Sequence, residues 1–284
     1  MIGVTGASGM LGGLVLDGLL EVVPPGQLVA VVRDPEKAAR FASRGVQVRH
    51  GDYAEPATLA PAFAGVERLL LVSGTELGHR VEQHRAVIEA AKAAAVELLA
   101  YTSVLHADAS TLPIAGEHEA TEVILRGSGS PWVVLRNGWY IENYTDRLAM
   151  PLAHGAFLGA ARSGRIAAAS RVDYAAAAVA VLTTDGHRGK TYELSGDHAF
   201  TMTELAESVS EWVGKPIAYR DLSSASYREA LSETGLPKPI VELLVATDLA
   251  IARGDLDSRS RDLHGLIGRD TATLRDVLAS LPKP

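Results

Sequence analysis

Three glycines at intervals of three, Gly6, Gly9 and Gly12, constrain this chain more than any other feature. A short apolar run, Ile2 to Val4, precedes them, and apolar residues resume behind them at helical spacing as Leu11, Leu14 and Val15. A strand must turn abruptly into a helix here. Gly6 permits the tight turn, Gly9 leaves no side chain in the path of a pyrophosphate, and Gly12 lets the helix approach the strand. Amides at the helix N-terminus then face the phosphates. The turn Gly6–Ala7–Ser8–Gly9–Met10–Leu11 is therefore a dinucleotide-binding candidate, with a purely structural glycine-rich turn as its alternative.

Composition narrows the function. The 284 residues suffice for one large α/β domain or for a domain with a smaller lobe. Hydrophobic residues make up 47%, which is ordinary for a globular chain. The formal net charge is −7 and no run of Lys or Arg stands out, which disfavours a nucleic-acid partner. With no cysteine, disulfides, thiolate catalysis and zinc–thiolate sites are excluded, and no metal site is expected. No apolar stretch is long enough to span a bilayer, and the chain starts on a strand rather than a signal peptide. A cytoplasmic protein is the expectation.

The rest of the chain reads as strands alternating with helices. The first helix is predicted to run to about Val22, where Pro24-Pro25-Gly26 breaks it. Leu28 to Val32 is a second buried strand, ending at Arg33. In a nucleotide-binding fold the residue there, about 20 positions past the glycines, meets the adenosine ribose. An acidic residue would accept a bond from a 2′-hydroxyl, whereas Arg33 suits a 2′-phosphate, so NADPH is expected despite Asp34 next to it. A solvated strand-end charge is the alternative. Helices are predicted over Pro35–Ser43 and Pro56–Phe63, with a third strand at Val46–Val48 leading to Gly51-Asp52-Tyr53. Asp52 either caps an adenine amino group or closes an Asx turn.

Arg68 to Val72 is the fourth strand, ending in Ser73-Gly74-Thr75, whose small side chains allow a cofactor to pass closely. A helix follows over Arg80–Ala95, with His84 on it as a packing or surface histidine. The fifth strand, Leu98–Ser103, has His106 just beyond it. After a helix at Glu117–Leu125 comes a sixth strand, Pro131–Leu135, running into Asn137, Gly138, Trp139, Tyr140, Ile141, Glu142, Asn143 and Tyr144. This alternation implies an α/β, Rossmann-type, doubly wound parallel sheet with its site at the carboxyl ends of the strands. The second half is less regular: a helix and a Gly/Ala-rich loop in 145–170, an alanine-rich helix at Ala175–Thr183, a short strand at Thr191–Leu194, a helix at Thr203–Val213 with Thr201 or Thr203 near its N-cap, and then helices with one short strand. The expected division is a nucleotide-binding domain over 1–150, completed by segments near 172–196, and a smaller, mainly helical lobe over 151–284.

None of the eight tyrosines has a lysine at the fourth following position, so the Tyr–Lys proton relay of many short-chain dehydrogenases is absent. An acceptor needing little acid help fits better, and a quinone qualifies. Tyr140, Asn143 and Tyr144 either position a flat ring or form an aromatic hinge. His106 either donates to an oxyanion or has no chemical role. His118 and Glu122, four apart on one helical face, read as a surface pair.

The pieces TGASGMLG, VVRDP, GDY at 51–53, LLLVSG, AYTSVLHAD and LRNGWYIENY, continued by RVDYAAAA and YELSG at 192–196, together resemble the atypical short-chain dehydrogenases of the NmrA-like group. The chain is similar to bacterial type 2 NADPH:quinone oxidoreductases, with triphenylmethane reductase as a relative. The resemblance implies NADPH held by Gly6 to Leu11, Arg33, Ser73 to Thr75, Asn137 to Glu142 and Arg165. It also implies a quinone pocket between the lobes and two-electron reduction to the hydroquinone. The alternatives are a redox-sensing regulator that binds NADP(H) without turnover, and a reductase of another conjugated acceptor such as a dye or enone. A monomer or homodimer is expected.

Overall fold

The computed structural model describes residues 1–283. Seven strands form one parallel sheet: β1 (Ile2–Thr5), β2 (Leu28–Val32), β3 (Gln47–His50), β4 (Arg68–Leu71), β5 (Leu98–Val104), β6 (Trp132–Asn137) and β8 (Lys190–Leu194). Their spatial order is β3-β2-β1-β4-β5-β6-β8. The order therefore reverses between β1 and β4. Two further strands, β7 (Ala156–Gly159) and β9 (Ala218–Asp221), pair in parallel in the smaller lobe. Among the described residues, no helix is long and apolar enough to cross a membrane.

Alternation along each strand sends side chains to opposite faces, and both faces are covered, as a parallel sheet requires. Val4, Ala30, Leu70, Ala100 and Val133 pack against Val15, Leu16 and Leu19 of helix Met10–Leu19 and against Tyr174, Ala178 and Val181 of helix Arg171–Thr183. Val29, Leu69, Leu71, Leu99 and Val134 pack against Val87, Ile88 and Ala91 of helix Arg80–Ala93 and Leu125 of helix Ala115–Gly127. The smaller lobe gathers around Phe157, Leu205, Val209, Ile217 and Ile251. Its helix Met202–Val213 starts in a capping box, with the Thr201 hydroxyl accepting from the Glu204 amide and the Glu204 carboxylate accepting from Thr201.

Several element boundaries differ from expectation. The first helix stops at Leu19. The third strand is Gln47–His50 rather than Val46–Val48. Pro35–Ser43 and Pro56–Phe63 each open with a 3₁₀ turn, Pro35–Ala38 and Pro56–Thr58, before one α-helical turn, Ala39–Ala42 and Leu59–Ala62. Strand β7 lies in the Gly/Ala-rich stretch expected to be a helix and a loop. Its partner β9 lies some sixty residues away, so no local pattern marks it.

The reading of His118 and Glu122 as a surface pair is overturned. They are 3% and 0% exposed. Glu122 accepts hydrogen bonds from Ser103 Oγ at 2.5 Å, from Arg136 Nε at 2.9 Å and Nη2 at 2.8 Å, and from Arg126 at 2.8 Å. Arg136 Nη1 also reaches Glu193 at 2.7 Å and Asp108 at 2.9 Å. The physical reason is Arg136, which β6 carries into the interior and which needs a counter-charge there. Glu122→Ala is expected to cost about 3–5 kcal/mol of unfolding free energy by leaving the buried Nε and Nη2 of Arg136 without their acceptor. Glu122→Ala combined with Arg136→Met should recover much of the loss, as measured by urea denaturation.

Candidate functional site

The carboxyl ends of the strands open on a cleft of about 810 Å³. It forms where the strand order reverses, because the loops after β1 and β4 run to opposite sides. The first jaw is the glycine turn. Gly6 adopts φ +58°, and its carbonyl accepts the Gly9 amide at 2.9 Å. A Cβ on Gly12 would lie 2.5 Å from that carbonyl, so only glycine lets the helix sit this close. Gly9 is the N-cap of helix Met10–Leu19, and no side chain caps it. The first-turn amides are left to a ligand, which makes an anion cradle.

Arg33 lines the cleft at the end of β2 and pairs with Glu76 at 3.2 Å. Asp34 turns away: its carboxylate accepts the Glu36 amide at 3.1 Å as a helix cap. Asp52 also lines the cleft and closes an Asx turn, accepting the Ala54 amide at 2.9 Å. The Tyr53 hydroxyl contacts Thr5 Oγ1 and donates to the Val72 carbonyl at 2.9 Å, which ties the ends of β1 and β4 together. Burial pushes the Tyr53 phenol well above its ordinary pKa.

The second jaw is Ser73, Gly74 and Thr75, all in the cleft wall. The Ser73 amide donates to Thr102 Oγ1 at 2.9 Å, and the Gly74 amide donates to His84 Nε2 at 2.9 Å. His84 is fully buried. At the far end Asn137, Gly138, Trp139, Tyr140 and Asn143 complete the lining. Tyr140 packs edge-on against Tyr174 with ring centres 5.2 Å apart, and the Arg171 guanidinium lies 5.5 Å from its ring centre. The Asn137 Nδ2 donates to the Tyr140 hydroxyl at 3.3 Å, while the buried Asn137 Oδ1 has no partner.

Other sequence candidates fall outside the lining. Ala7 is buried beneath the turn, with its amide on the Val31 carbonyl at 3.4 Å. Ile141 joins the core of the smaller lobe. Glu142 accepts the Arg171 amide at 2.8 Å, and burial pushes its carboxyl pKa up. Tyr144 packs edge-on against Phe200. Arg165 reaches the Ala199 carbonyl and Glu204. His106 lines a separate cavity of about 470 Å³ with Glu193, Ser258 and Asp262, and its amide donates to Glu193 at 3.0 Å. The cleft in turn takes in Ser103, Ile114, His118, Arg147 and Leu243, which sequence reasoning missed. Ser103 ends the fifth predicted strand and was within reach of that rule. Leu243 comes from a distant helix and carried no local signal.

An open anion cradle, a cation at the ribose end and a buried unpaired amide oxygen at the other end fit a phosphorylated dinucleotide with a carboxamide ring. Residues 6–185 match a family described as NAD(P)H-binding. This chain belongs to that NAD(P)H-binding family. Its relatives include quinone oxidoreductase 2 of Escherichia coli, 48% identical over 281 residues that cover 99% of this chain and 98% of that protein. A crystal structure of NADPH-dependent quinone oxidoreductase from Escherichia coli complexed with NADPH superimposes with a TM-score of 0.96 at 48% identity, covering 98% of this chain and 99% of that one. The Citrobacter sp. triphenylmethane reductase complexed with NADP(H) gives a TM-score of 0.94 at 39% identity over 99% and 100% of the two chains. Membership of the NAD(P)H-binding family accounts for the glycine jaw.

Burial, followed by the neighbouring Arg80, holds both His84 and His118 at a pKa of about 3, far below the ordinary histidine range. Below about pH 6.5 the unfolded chain takes up protons that the folded chain refuses. Stability is therefore expected to fall as pH drops from 6.5 towards 3, by up to ~1.4 kcal/mol per pH unit for each histidine. Thermal melts between pH 6.5 and 5 should show this slope, and His84→Gln should make it shallower.

Proposed function

We propose that this protein is an NADPH-dependent quinone oxidoreductase that passes a hydride directly to the quinone, a two-electron reduction to the hydroquinone. The observation that carries this reading is the 48% identity to quinone oxidoreductase 2, which extends over 99% of the chain. The protein is taken to act in the cytoplasm as a monomer or homodimer. Residues 1–150, with segments near 172–196, hold the cofactor, and the lobe over 151–284 covers the acceptor.

NADPH, when bound, supplies the hydride. The amides of the glycine turn bind its pyrophosphate, and Arg33 exchanges Glu76 for the 2′-phosphate. Asp52 and Tyr53 border the adenine end, and Ser73 to Thr75 form the wall along the ribose. Asn137 to Tyr140 complete the hold, while Ile141, Glu142 and Arg165 stand outside the cleft lining. Tyr140 and Asn143 orient the acceptor ring rather than act as acids, while Tyr144 packs outside the cleft against Phe200. Burial keeps the phenol of Tyr140 neutral, so its hydroxyl acts as a hydrogen-bonding group. The hydride and one proton complete the hydroquinone, and that proton comes from water. His106 lines the separate cavity with Glu193 and does not border the cleft. The likeness to triphenylmethane reductase favours one second reading, a reductase of conjugated dyes.

Two measurements test the proposal. Arg33→Ala should weaken NADPH binding by roughly ten- to hundredfold, equivalent to ~1.5–3 kcal/mol, and leave NADH binding almost unchanged. Equal affinity of the unmutated protein for the two cofactors would refute the assignment of Arg33. Asn143→Ala should lower kcat with quinones while NADPH affinity stays near that of the unmutated protein. If NADPH is consumed no faster than without protein across quinones, dyes and enones, the protein is a cofactor-binding sensor instead.

A further inference from the structure

We propose that His84 is a positioning residue for the cofactor: it locks the Gly74 backbone and so holds the Ser73–Glu76 jaw in the shape that receives NADPH. This rests on the reading of the cleft as the NADPH site. Both backbone polar groups of Gly74 are committed to one helix face. The Gly74 amide donates to His84 Nε2 at 2.9 Å, and the Gly74 carbonyl accepts from Arg80 Nε at 2.8 Å. His84 and Arg80 are four residues apart on helix Arg80–Ala93, with 0% and 6% exposure. The jaw sits tightly on this face, since a Cβ on Gly74 would lie 3.2 Å from Gln83 Oε1.

The hydrogen-bond directions define the imidazole. Nε2 faces an amide donor, so it carries no proton, and the proton is on Nδ1. Nδ1 donates to Thr121 Oγ1 at 3.1 Å, and Thr121 Oγ1 donates onward to the Glu117 carbonyl at 2.8 Å. Arg80 Nη1 pairs with Glu117 Oε2 at 3.1 Å, and the Gly78 amide donates to Glu117 Oε1 at 2.8 Å. A packing histidine would need none of this directionality. The clamp also reaches the end of β2: Gln83 Nε2 donates to Glu76 Oε2 at 2.7 Å, and Glu76 pairs with Arg33. A shift at Gly74 therefore moves the partner of the phosphate-binding cation.

His84→Phe keeps an aromatic ring of similar size but removes the acceptor, and His84→Gln restores one. NADPH affinity is measured by fluorescence titration without any acceptor. The expected result is a roughly tenfold weaker affinity for His84→Phe, with kcat at saturating NADPH within about twofold, and recovery of most of the affinity in His84→Gln. Nitrogen-15 NMR of the unmutated protein at pH 5.5 should show His84 neutral and protonated on Nδ1. Unchanged affinity in His84→Phe overturns the proposal, as does a charged His84 or one protonated on Nε2. If His84→Phe does not fold, the NMR result decides. If the unmutated protein fails to bind NADPH, the cofactor reading falls, while the NMR result still reports on the clamp.

Discussion

Everything in this protein is arranged around a backbone contact that tolerates no side chain. Helix Met10–Leu19 sits so close to β1 that a Cβ at position 12 would lie 2.5 Å from the Gly6 carbonyl. That proximity aims the helix N-terminus along the sheet edge where strand order reverses between β1 and β4. The amides there are left unsatisfied by side chains. A buried sheet with free donors at one edge is a binding site before any catalytic residue is considered.

The second jaw answers the first by different means. The glycine turn is held by its own backbone, whereas Ser73 to Thr75 are held from outside by Thr102, His84 and Arg80. Behind the far end of the cleft, Glu122 and Arg136 bring charge into the interior and satisfy it there. A fully satisfied polar network of this kind is directional, so it fixes the register of helix Ala115–Gly127 against β5 and β6 in a way that apolar packing alone does not. Ser103, which donates to Glu122, is thereby oriented at the cleft.

The chemistry is correspondingly spare. The tyrosines around the cleft lack a lysine partner, and burial raises their pKa values instead of lowering them. A site built this way is suited to placing two flat rings together, not to moving protons between them. The chain's NAD(P)H-binding family and its similarity to quinone oxidoreductase 2 fit a site for a nicotinamide and a second flat ring.

The α/β class, the parallel alternation and the glycine jaw were determined by the sequence itself, because each rests on local rules. A glycine at a crowded turn, an apolar run of strand length and a helix-spaced stripe act within a few residues of one another. The place of Arg33 at the cleft wall was legible for the same reason, as the end of a strand whose position is set by topology. Tertiary structure decided the rest. Strand β7 exists only because β9 arrives beside it from some sixty residues away. His118 and Glu122 look like surface residues in the sequence and become buried because the helix that carries them turns that face to the sheet. Leu243 joins the cleft and His106 leaves it for the same physical reason. Which side chains meet across a fold depends on packing between distant segments, and no spacing along the chain encodes that distance.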